Sequence, residues 1–166
     1  MAVRPIVSFP DPRLRSVCAK IRVFDDALAA LAGDLLDTLR AAPGIGIAAA
    51  HAGVLQRLVV IELSPQDGAR IYVNPRIAWA GEERIRHPEG SVSMPGVVEE
   101  VERAARVRVE YQDLSGAARA EEAEGLLAVC LQHEIDQLDG VFWTQQLSRL
   151  KRERVHRRHE KLRRSR

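Results

Sequence analysis

Residues Cys130 to Gly140 read Cys-Leu-Gln-His-Glu-Ile-Asp-Gln-Leu-Asp-Gly. Apolar residues recur at helical spacing from about Gly125, and Gly140 is typical of the residue that follows a helix. Residues four positions apart share one face of a helix, so His133 and Gln137 should point the same way. The stretch therefore predicts one helix that carries a short polar face among apolar residues.

This polar face differs by one residue from a metal-binding motif. In the pattern His-Glu-x-x-His, two imidazoles one turn apart bind a metal and the Glu acts as general base. Here His133 and Glu134 are present, but Gln137 replaces the second imidazole. Cys130 lies one turn earlier and either faces the same site or is a small buried hydrophobic residue, the interpretation we prefer. Asp136 is expected to face away and make a structural hydrogen bond or ion pair.

Length and composition indicate a small globular protein. The chain has 166 residues, 46% hydrophobic and 29% charged, which suits one domain with a full-sized core. No apolar run is long enough to span a bilayer, and the N-terminus lacks the apolar segment of a signal peptide. The two cysteines are far apart, which is typical of reduced thiols. We expect a cytoplasmic protein without a membrane partner.

The charge is unevenly distributed along the chain. Residues 149–166 contain 10 Lys or Arg and 2 Asp or Glu; subtracting these from 25 and 23 leaves 15 basic and 21 acidic residues, a charge of −6. We expect residues 1–148 to form the domain and residues 149–166 to be its basic C-terminal helix. This helix either contacts nucleic acid, such as ribosomal RNA, or is a solvated surface helix.

The remaining periodicities predict a helix, several antiparallel strands and two more helices. Asp25 can cap a helix that runs to about Arg40, and a last helix should begin near Ser148. Strand candidates occupy residues 57–63, 70–74, 83–86, 97–101 and 107–111, with a turn at 114–116 inside a hairpin. Residues 88–96, rich in proline and glycine, are expected to be a loop. This order predicts an α+β fold.

Residues Gly44 to His51 read Gly-Ile-Gly-Ile-Ala-Ala-Ala-His and leave little side-chain bulk. A ligand or another backbone segment can approach closely there. The alternative is a tight turn that leads into a strand. A phosphate-binding loop is disfavoured because the third glycine of that motif is missing.

Three stretches together resemble the peptide deformylase family. Gly44–His51, Glu89–Ser93 and Gln132–Gly140 match, in order, the family motifs Gly-x-Gly-Leu-Ala-Ala-Pro-Gln, Glu-Gly-Cys-Leu-Ser and Gln-His-Glu-x-Asp-His-Leu-x-Gly. The flanking stretches match as well, so the resemblance covers nearly the whole chain. It implies a deformylase-like α+β fold, with antiparallel sheets around a central motif helix plus N-terminal and C-terminal helices.

The resemblance also implies a chemistry and its partners. Members of that family remove the formyl group from the N-terminal formylmethionine of nascent peptides, and the C-terminal helix of family members docks on ribosomes. A divalent metal (Fe²⁺, Zn²⁺ or Ni²⁺) is held by the Cys of the second motif and both His of the third, and it activates a water. The Glu moves the proton, while a Gln side chain and a backbone N–H hold the oxyanion.

Position by position, this chain keeps one half of that machinery. By resemblance, Glu134 is the general base, His133 is a metal ligand, and the N–H of Val92 occupies the oxyanion position. The positions that line the extended peptide are Ile45, Gly46 and Gly90. Three residues that take part in the family's reaction are replaced: Ser91 stands for the thiolate ligand, Gln137 for the second imidazole, and His51 for the oxyanion amide.

These replacements leave two hypotheses for function. A neutral hydroxyl and a carboxamide are poor ligands for zinc or iron, so the metal should bind weakly. In the first hypothesis the protein is a weakened or rewired deformylase, in which His51 joins His133 and Glu134 around a shifted metal. In the second it is a metal-free relative that binds peptide N-termini or ribosomes, and His51 only makes hydrogen bonds in a polar cleft. Glu89 is expected to anchor its loop, and Arg103 is expected to fix either Glu89 or the substrate.

Overall fold

The computed structural model describes all 166 residues as three α-helices and seven strands. The helices are α1 (Asp26–Ala41), α2 (Gly125–Leu138) and α3 (Arg149–Arg164). The strands are β1 (Gly46–Ala48), β2 (Leu58–Ile61), β3 (Arg70–Ala80), β4 (Arg84–Ser91), β5 (Met94–Ala104), β6 (Arg106–Gln112) and β7 (Ala118–Glu124). Short 3-10 helices lie at Pro12–Arg15, Ala49–Ala52 and Trp143–Gln146. The predicted α+β class is confirmed.

A five-stranded antiparallel sheet forms the centre of the molecule, in the order β1-β2-β3-β6-β7. Strand β2 is buried on both faces, and its side chains alternate between them. Leu58 and Val60 pack with the leucines of α1, whereas Val59 and Ile61 pack with α2. The sheet therefore separates two apolar clusters and fixes α2, the motif helix, against one face.

The helix termini explain why the helices begin where the sequence predicts. The Asp25 carboxylate accepts a hydrogen bond from the N–H of Leu28 at 3.0 Å, and the Ser148 hydroxyl accepts one from Lys151 at 3.3 Å. Both are N-cap contacts that satisfy otherwise free backbone donors. Val155 and His159 of α3 are buried, so the basic helix packs against the rest of the fold through one face. None of the helices is both long enough and apolar enough to cross a membrane.

The expected loop at residues 88–96 is wrong: these residues form the end of a β-hairpin. Strands β4 and β5 pair antiparallel, with Pro88 opposite Glu100 and Ser91 opposite Met94, around a two-residue turn at Val92 and Ser93. The hairpin is a separate two-stranded sheet with free edges, where proline is tolerated because no N–H is required. It carries the second motif, Glu89–Ser93, to a cleft beside α2.

Strand β7 lies outside the predicted strand ranges, although the turn before it was expected. Its sequence alternates alanine with charged residues and lacks the β-branched side chains that indicate a strand. It is an edge strand paired only with β6, and most of its side chains are exposed. Its register is therefore set by pairing with β6, not by a hydrophobic pattern of its own.

Candidate functional site

A cleft of about 310 Å³ lies between α2, the β4–β5 hairpin and the residues around β1. We call residues 44–51 the loop wall and residues 130–137 of α2 the helix wall; the hairpin residues 89–92 join them. Eight of the nine site residues predicted from the sequence line this cleft: Ile45, Gly46, His51, Gly90, Ser91, Val92, His133 and Glu134. Gln137 does not.

His133 is held in one orientation from the helix wall. Its Nδ1 lies 2.8 Å from Oε1 of Glu89, and its Nε2 lies 3.8 Å from Oε1 of Glu134. Because a carboxylate only accepts hydrogen bonds at its ionised oxygens, Nδ1 carries the proton and donates to Glu89. Burial would lower the pKa of His133, but the charge of Glu134 and the hydrogen bond and charge of Glu89 outweigh burial and raise that pKa, so the protonated ring is favoured.

A buried ion network fixes Glu89. The Arg103 guanidinium donates to both oxygens of Glu89, at 2.8 and 2.9 Å, and to Asp136 at 2.6 Å. Burial alone would raise the pKa of Glu89, but the hydrogen bonds from Arg103 and His133 outweigh burial and lower that pKa to about 2. Glu89 is therefore ionised and anchored, as expected, and Asp136 makes the predicted ion pair.

Glu134 presents its carboxyl group to the cleft. Its side chain is only 2% exposed, yet no group of the protein donates a hydrogen bond to it. Burial raises the pKa of Glu134 to about 7, although the charge of His133 acts in the opposite direction. A carboxyl group in this state can accept or donate a proton near neutral pH.

Cys130 and Gly46 close the cleft floor. The Cys130 thiol belongs to the apolar cluster between α2 and the sheet and also lines the cleft, so both interpretations of this residue apply. Burial raises the pKa of the thiol well above its ordinary value. A methyl group on Gly46 would lie 2.6 Å from Sγ of Cys130 and 3.3 Å from Oε2 of Glu134, so only glycine fits here.

His51 occupies the loop wall, at the third position of the short helix Ala49–Ala52. It is 1% exposed, and its Nδ1 accepts a hydrogen bond from the N–H of Ala48 at 3.0 Å. Burial, helped by the charge of His133, lowers the pKa of His51 to about 3, so the imidazole is neutral. Its Nε2 has no hydrogen-bond partner in the protein. The backbone N–H of Val92, across the cleft mouth, also has none.

Gln137 points away from the cleft. Its amide nitrogen donates to the carbonyl oxygen of Leu14 at 2.7 Å, while its Oε1 has no partner. The side chain is completely buried against the short helix Pro12–Arg15. His133 and Gln137 therefore share a helix but contact different parts of the molecule.

The residues at the site do not fit the metal that the family motifs imply. Ser91 lines the cleft, but its neutral hydroxyl accepts a hydrogen bond from the N–H of Ser93 at 3.1 Å. Gln137 is engaged elsewhere, so His133 is the single remaining good ligand of the motif. No group of three His, Cys, Asp or Glu side chains is close enough to hold a metal ion.

The sequence did not identify the apolar rim of the cleft. Val98 of β5 is 60% exposed and Leu126 of α2 is 38% exposed, and both line the opening. The apolar side chain of Val98 on a two-stranded sheet could have indicated this rim, but single exposed apolar residues are common on protein surfaces and do not mark a site by themselves.

Comparison with known proteins agrees with the motifs. The family model described as polypeptide deformylase matches residues 3–153. The chain belongs to the polypeptide deformylase family. A crystal structure of a peptide deformylase from Legionella pneumophila superimposes with a TM-score of 0.93 at 38% identity, covering 98% of this chain and 96% of that one. The deformylase fold expected from the motifs is thereby confirmed.

Two relatives from one organism differ in name. In Rhizobium meliloti (strain 1021), a protein named peptide deformylase-like is 62% identical over 165 residues, covering 99% of this chain and 96% of its own length. A protein named peptide deformylase from the same strain is 43% identical over 164 residues, covering 97% and 94%. The chain is thus more similar to the deformylase-like relative.

Proposed function

We propose that this deformylase-family protein binds the N-terminal segment of nascent polypeptides in the cleft and has lost efficient metal-dependent deformylation. The observation that carries this proposal is the position of Gln137, whose amide is bonded to Leu14 and lies outside the cleft. Together with the hydroxyl of Ser91, this leaves a single imidazole where the family uses three ligands. Glu134 would then have no metal-activated water from which to take a proton.

The two ligand replacements act in the same direction. A thiol with a pKa near 8.5 gives a thiolate to zinc or iron, whereas a serine hydroxyl stays neutral. A carboxamide oxygen suits hard ions such as magnesium better than zinc or iron. Turning Gln137 toward the cleft would also leave the Leu14 carbonyl without its donor, at a cost of about 1–3 kcal/mol.

The features that would hold a peptide are retained. Gly46 and Gly90 present bare backbone to the cleft, so an extended chain can approach both walls. The unused N–H of Val92 offers a main-chain donor at the end of a hairpin, as in peptide recognition by strand addition. The apolar rim at Val98 and Leu126 would receive an apolar first side chain such as that of methionine.

The pair of relatives in Rhizobium meliloti supports a separate role for deformylase-like chains. That strain has a protein named peptide deformylase beside the deformylase-like relative that this chain matches at 62% identity. We propose that this protein likewise works in the cytoplasm beside a conventional deformylase and meets the same nascent peptides.

Helix α3 supplies the proposed contact with the ribosome. Its basic residues Arg157, Arg158 and Lys161 are exposed and make no ion pair. Changing all three to alanine should reduce the slope of log affinity for ribosomes against log salt by about two, because fewer phosphate counterions are released. Co-sedimentation at several salt concentrations measures this, and an unchanged slope would argue against the contact.

Elemental analysis and a hydrolysis assay test the loss of metal-dependent chemistry. Protein purified anaerobically, without chelator or nickel affinity resin, should contain far less than one transition metal per chain. It should release no formate from N-formylmethionyl-alanyl-serine above background. Stoichiometric metal together with formate release would instead establish a rewired deformylase.

A further inference from the structure

We infer that the N-terminal segment at residues 7–9, here called the strap, couples the basic helix α3 to the cleft, so that RNA bound at α3 strengthens peptide binding. Both ligands come from the proposed function, on which this coupling rests. The contacts of the strap with the cleft and with α3 stand on the structure alone.

The strap is hydrogen-bonded to two sides of the cleft. The N–H of Val7 donates to the carbonyl oxygen of His51 at 2.7 Å, and the N–H of Phe9 donates to that of Ser93 at 2.8 Å. His51 belongs to the loop wall, and Ser93 lies in the turn of the β4–β5 hairpin. Two residues of one short segment therefore hold the loop wall and the hairpin together.

No direct hydrogen bond joins the loop wall to the hairpin. Strand β1 belongs to the five-stranded sheet and pairs with β2, whereas β4 and β5 pair only with each other. The remaining hydrogen bonds of residues 89–93 stay within the hairpin or go to His133. The strap therefore fixes the separation of these two sides of the cleft.

The same strap is attached to α3. Nε2 of His159 lies 3.2 Å from the carbonyl oxygen of Phe9, and because a carbonyl oxygen only accepts, this nitrogen donates. The Phe9 ring stacks on Phe142 with the centroids 5.1 Å apart, and it contacts the imidazoles of His156 and His159 at 4.9 and 5.7 Å. Phe9 is thus bonded to the hairpin through its N–H and to α3 through its carbonyl oxygen.

Helix α3 also contacts the hairpin directly. A methyl group on Gly96, which lines the cleft, would lie 3.2 Å from Cδ1 of Leu162. The carboxylate of Glu99 lies 3.7 Å from Lys151 and 3.8 Å from Arg154. Strand β5 therefore contacts both α3 and the cleft, so restricting α3 also restricts the hairpin.

The basic residues Arg157, Arg158 and Lys161 of α3 are exposed and unpaired, which suits a polyanion. RNA bound to them restricts α3 and, through the strap, the cleft. A peptide bound in the cleft restricts the strap from the other end. Each ligand then removes conformational freedom that the other would have to remove, so their coupling is positive and reciprocal.

Amide hydrogen exchange measured by NMR tests the strap with RNA alone. A short RNA duplex should slow exchange at the amides of Val7 and Phe9 in the wild type. Exchange that RNA leaves unchanged at both amides would overturn the inference, and this measurement needs no variant.

Two matched variants locate the connection. His159→Leu removes the donor to Phe9 but keeps an apolar side chain, so RNA should no longer slow exchange in the strap. His156→Leu is the control, because His156 lies on the same helix but its Nε2 contacts Thr144 and makes no hydrogen bond to the strap. Equal slowing in the two variants would contradict the role of His159.

Calorimetric titration with N-formylmethionyl-alanyl-serine, with and without saturating RNA duplex, tests the coupling. RNA should strengthen peptide binding about fivefold in the wild type and in His156→Leu, but less than about twofold in His159→Leu. Equal peptide affinity with and without RNA would overturn the inference and leave the proposed function intact. No binding of the peptide would refute the proposed function and the coupling, whereas slowed exchange at Val7 and Phe9 would still establish the strap.

Discussion

The two walls of the cleft each carry a substitution at a catalytic position of the family motifs, and the two substituted residues make different contacts. On the loop wall, His51 replaces an amide but retains an acceptor directed at Ala48, and its Nε2 has no partner in the protein. On the helix wall, Gln137 replaces an imidazole and bonds to Leu14 instead. A hydrogen-bond acceptor can be supplied by different side chains, because only the position of a lone pair matters. A transition-metal site needs particular ligand atoms, so it does not survive the same kind of change.

The largest expected effect comes from restoring the metal ligands of the helix wall and of the adjoining hairpin. Ser91→Cys together with Gln137→His should raise transition-metal content from a small fraction to about one ion per chain, because a thiolate and a second imidazole join His133. Metal titration followed by elemental analysis measures this. Ser91→Cys alone is the matched control and should bind metal more weakly. A double variant that folds but takes up no metal would show that more than the ligands has changed at this site.

Removing the cation behind the helix wall should destabilise the fold strongly. Arg103→Met leaves the buried carboxylate of Glu89 without its guanidinium partner and also removes the ion pair to the half-buried Asp136, so the free energy of unfolding should fall by about 3–5 kcal/mol. Urea denaturation at pH 7 provides the value. Arg106→Met, three residues away on an exposed side chain, is the control and should change stability by less than about 0.5 kcal/mol. Equal effects of the two changes would contradict the buried network.

The contact between the two walls can be tested at Gly46. In Gly46→Ala, the new methyl group would lie 2.6 Å from Sγ of Cys130, so the walls must separate. We expect a loss of about 1–3 kcal/mol in the free energy of unfolding. Adding Cys130→Ala should recover much of it, because the obstructing sulfur is removed. No recovery in the double variant would mean that the strain has another source.

The smallest expected effect concerns the pH dependence that His51 gives to stability. Because the folded-state pKa of His51 is lowered to about 3, only the unfolded chain takes up this proton as the pH falls below its ordinary value of 6.5. The native state should therefore lose stability on acidification, by about 2 kcal/mol at pH 5. His51→Gln removes this contribution, so its stability should fall less between pH 7 and pH 5. Identical pH profiles in urea denaturation would show that His51 is not buried in its neutral form.

Local patterns predicted the parts of the fold that depend on neighbouring residues. The leucine spacing and the Asp25 cap predicted α1, and the apolar periodicity after Gly125 predicted α2. The end of the β4–β5 hairpin was not predicted, because its prolines and glycines resemble a loop until the pairing of Pro88 with Glu100 is known. Pairing of this kind is a tertiary property.

The sequence predicted which residues line the cleft but not the direction in which their side chains point. Motif positions identified eight residues that line the cleft, yet the partner of Gln137 is Leu14, 123 residues earlier in the chain. The acceptor role of Nδ1 of His51 likewise depends on where the N–H of Ala48 points, which the sequence motif does not show. Sequence indicates which side chains are near the cleft, whereas three-dimensional contacts decide which of their atoms face it.

The most direct test of the difference between the walls is the affinity of the wild-type protein for N-formylmethionyl-alanyl-serine with and without a metal chelator, measured by isothermal titration calorimetry. If the loop wall holds the peptide and the helix wall no longer holds a metal, the dissociation constant should be the same in both buffers. Binding that disappears with chelator and returns with added Zn²⁺ or Fe²⁺ would contradict the account, because the metal site would then still be in use.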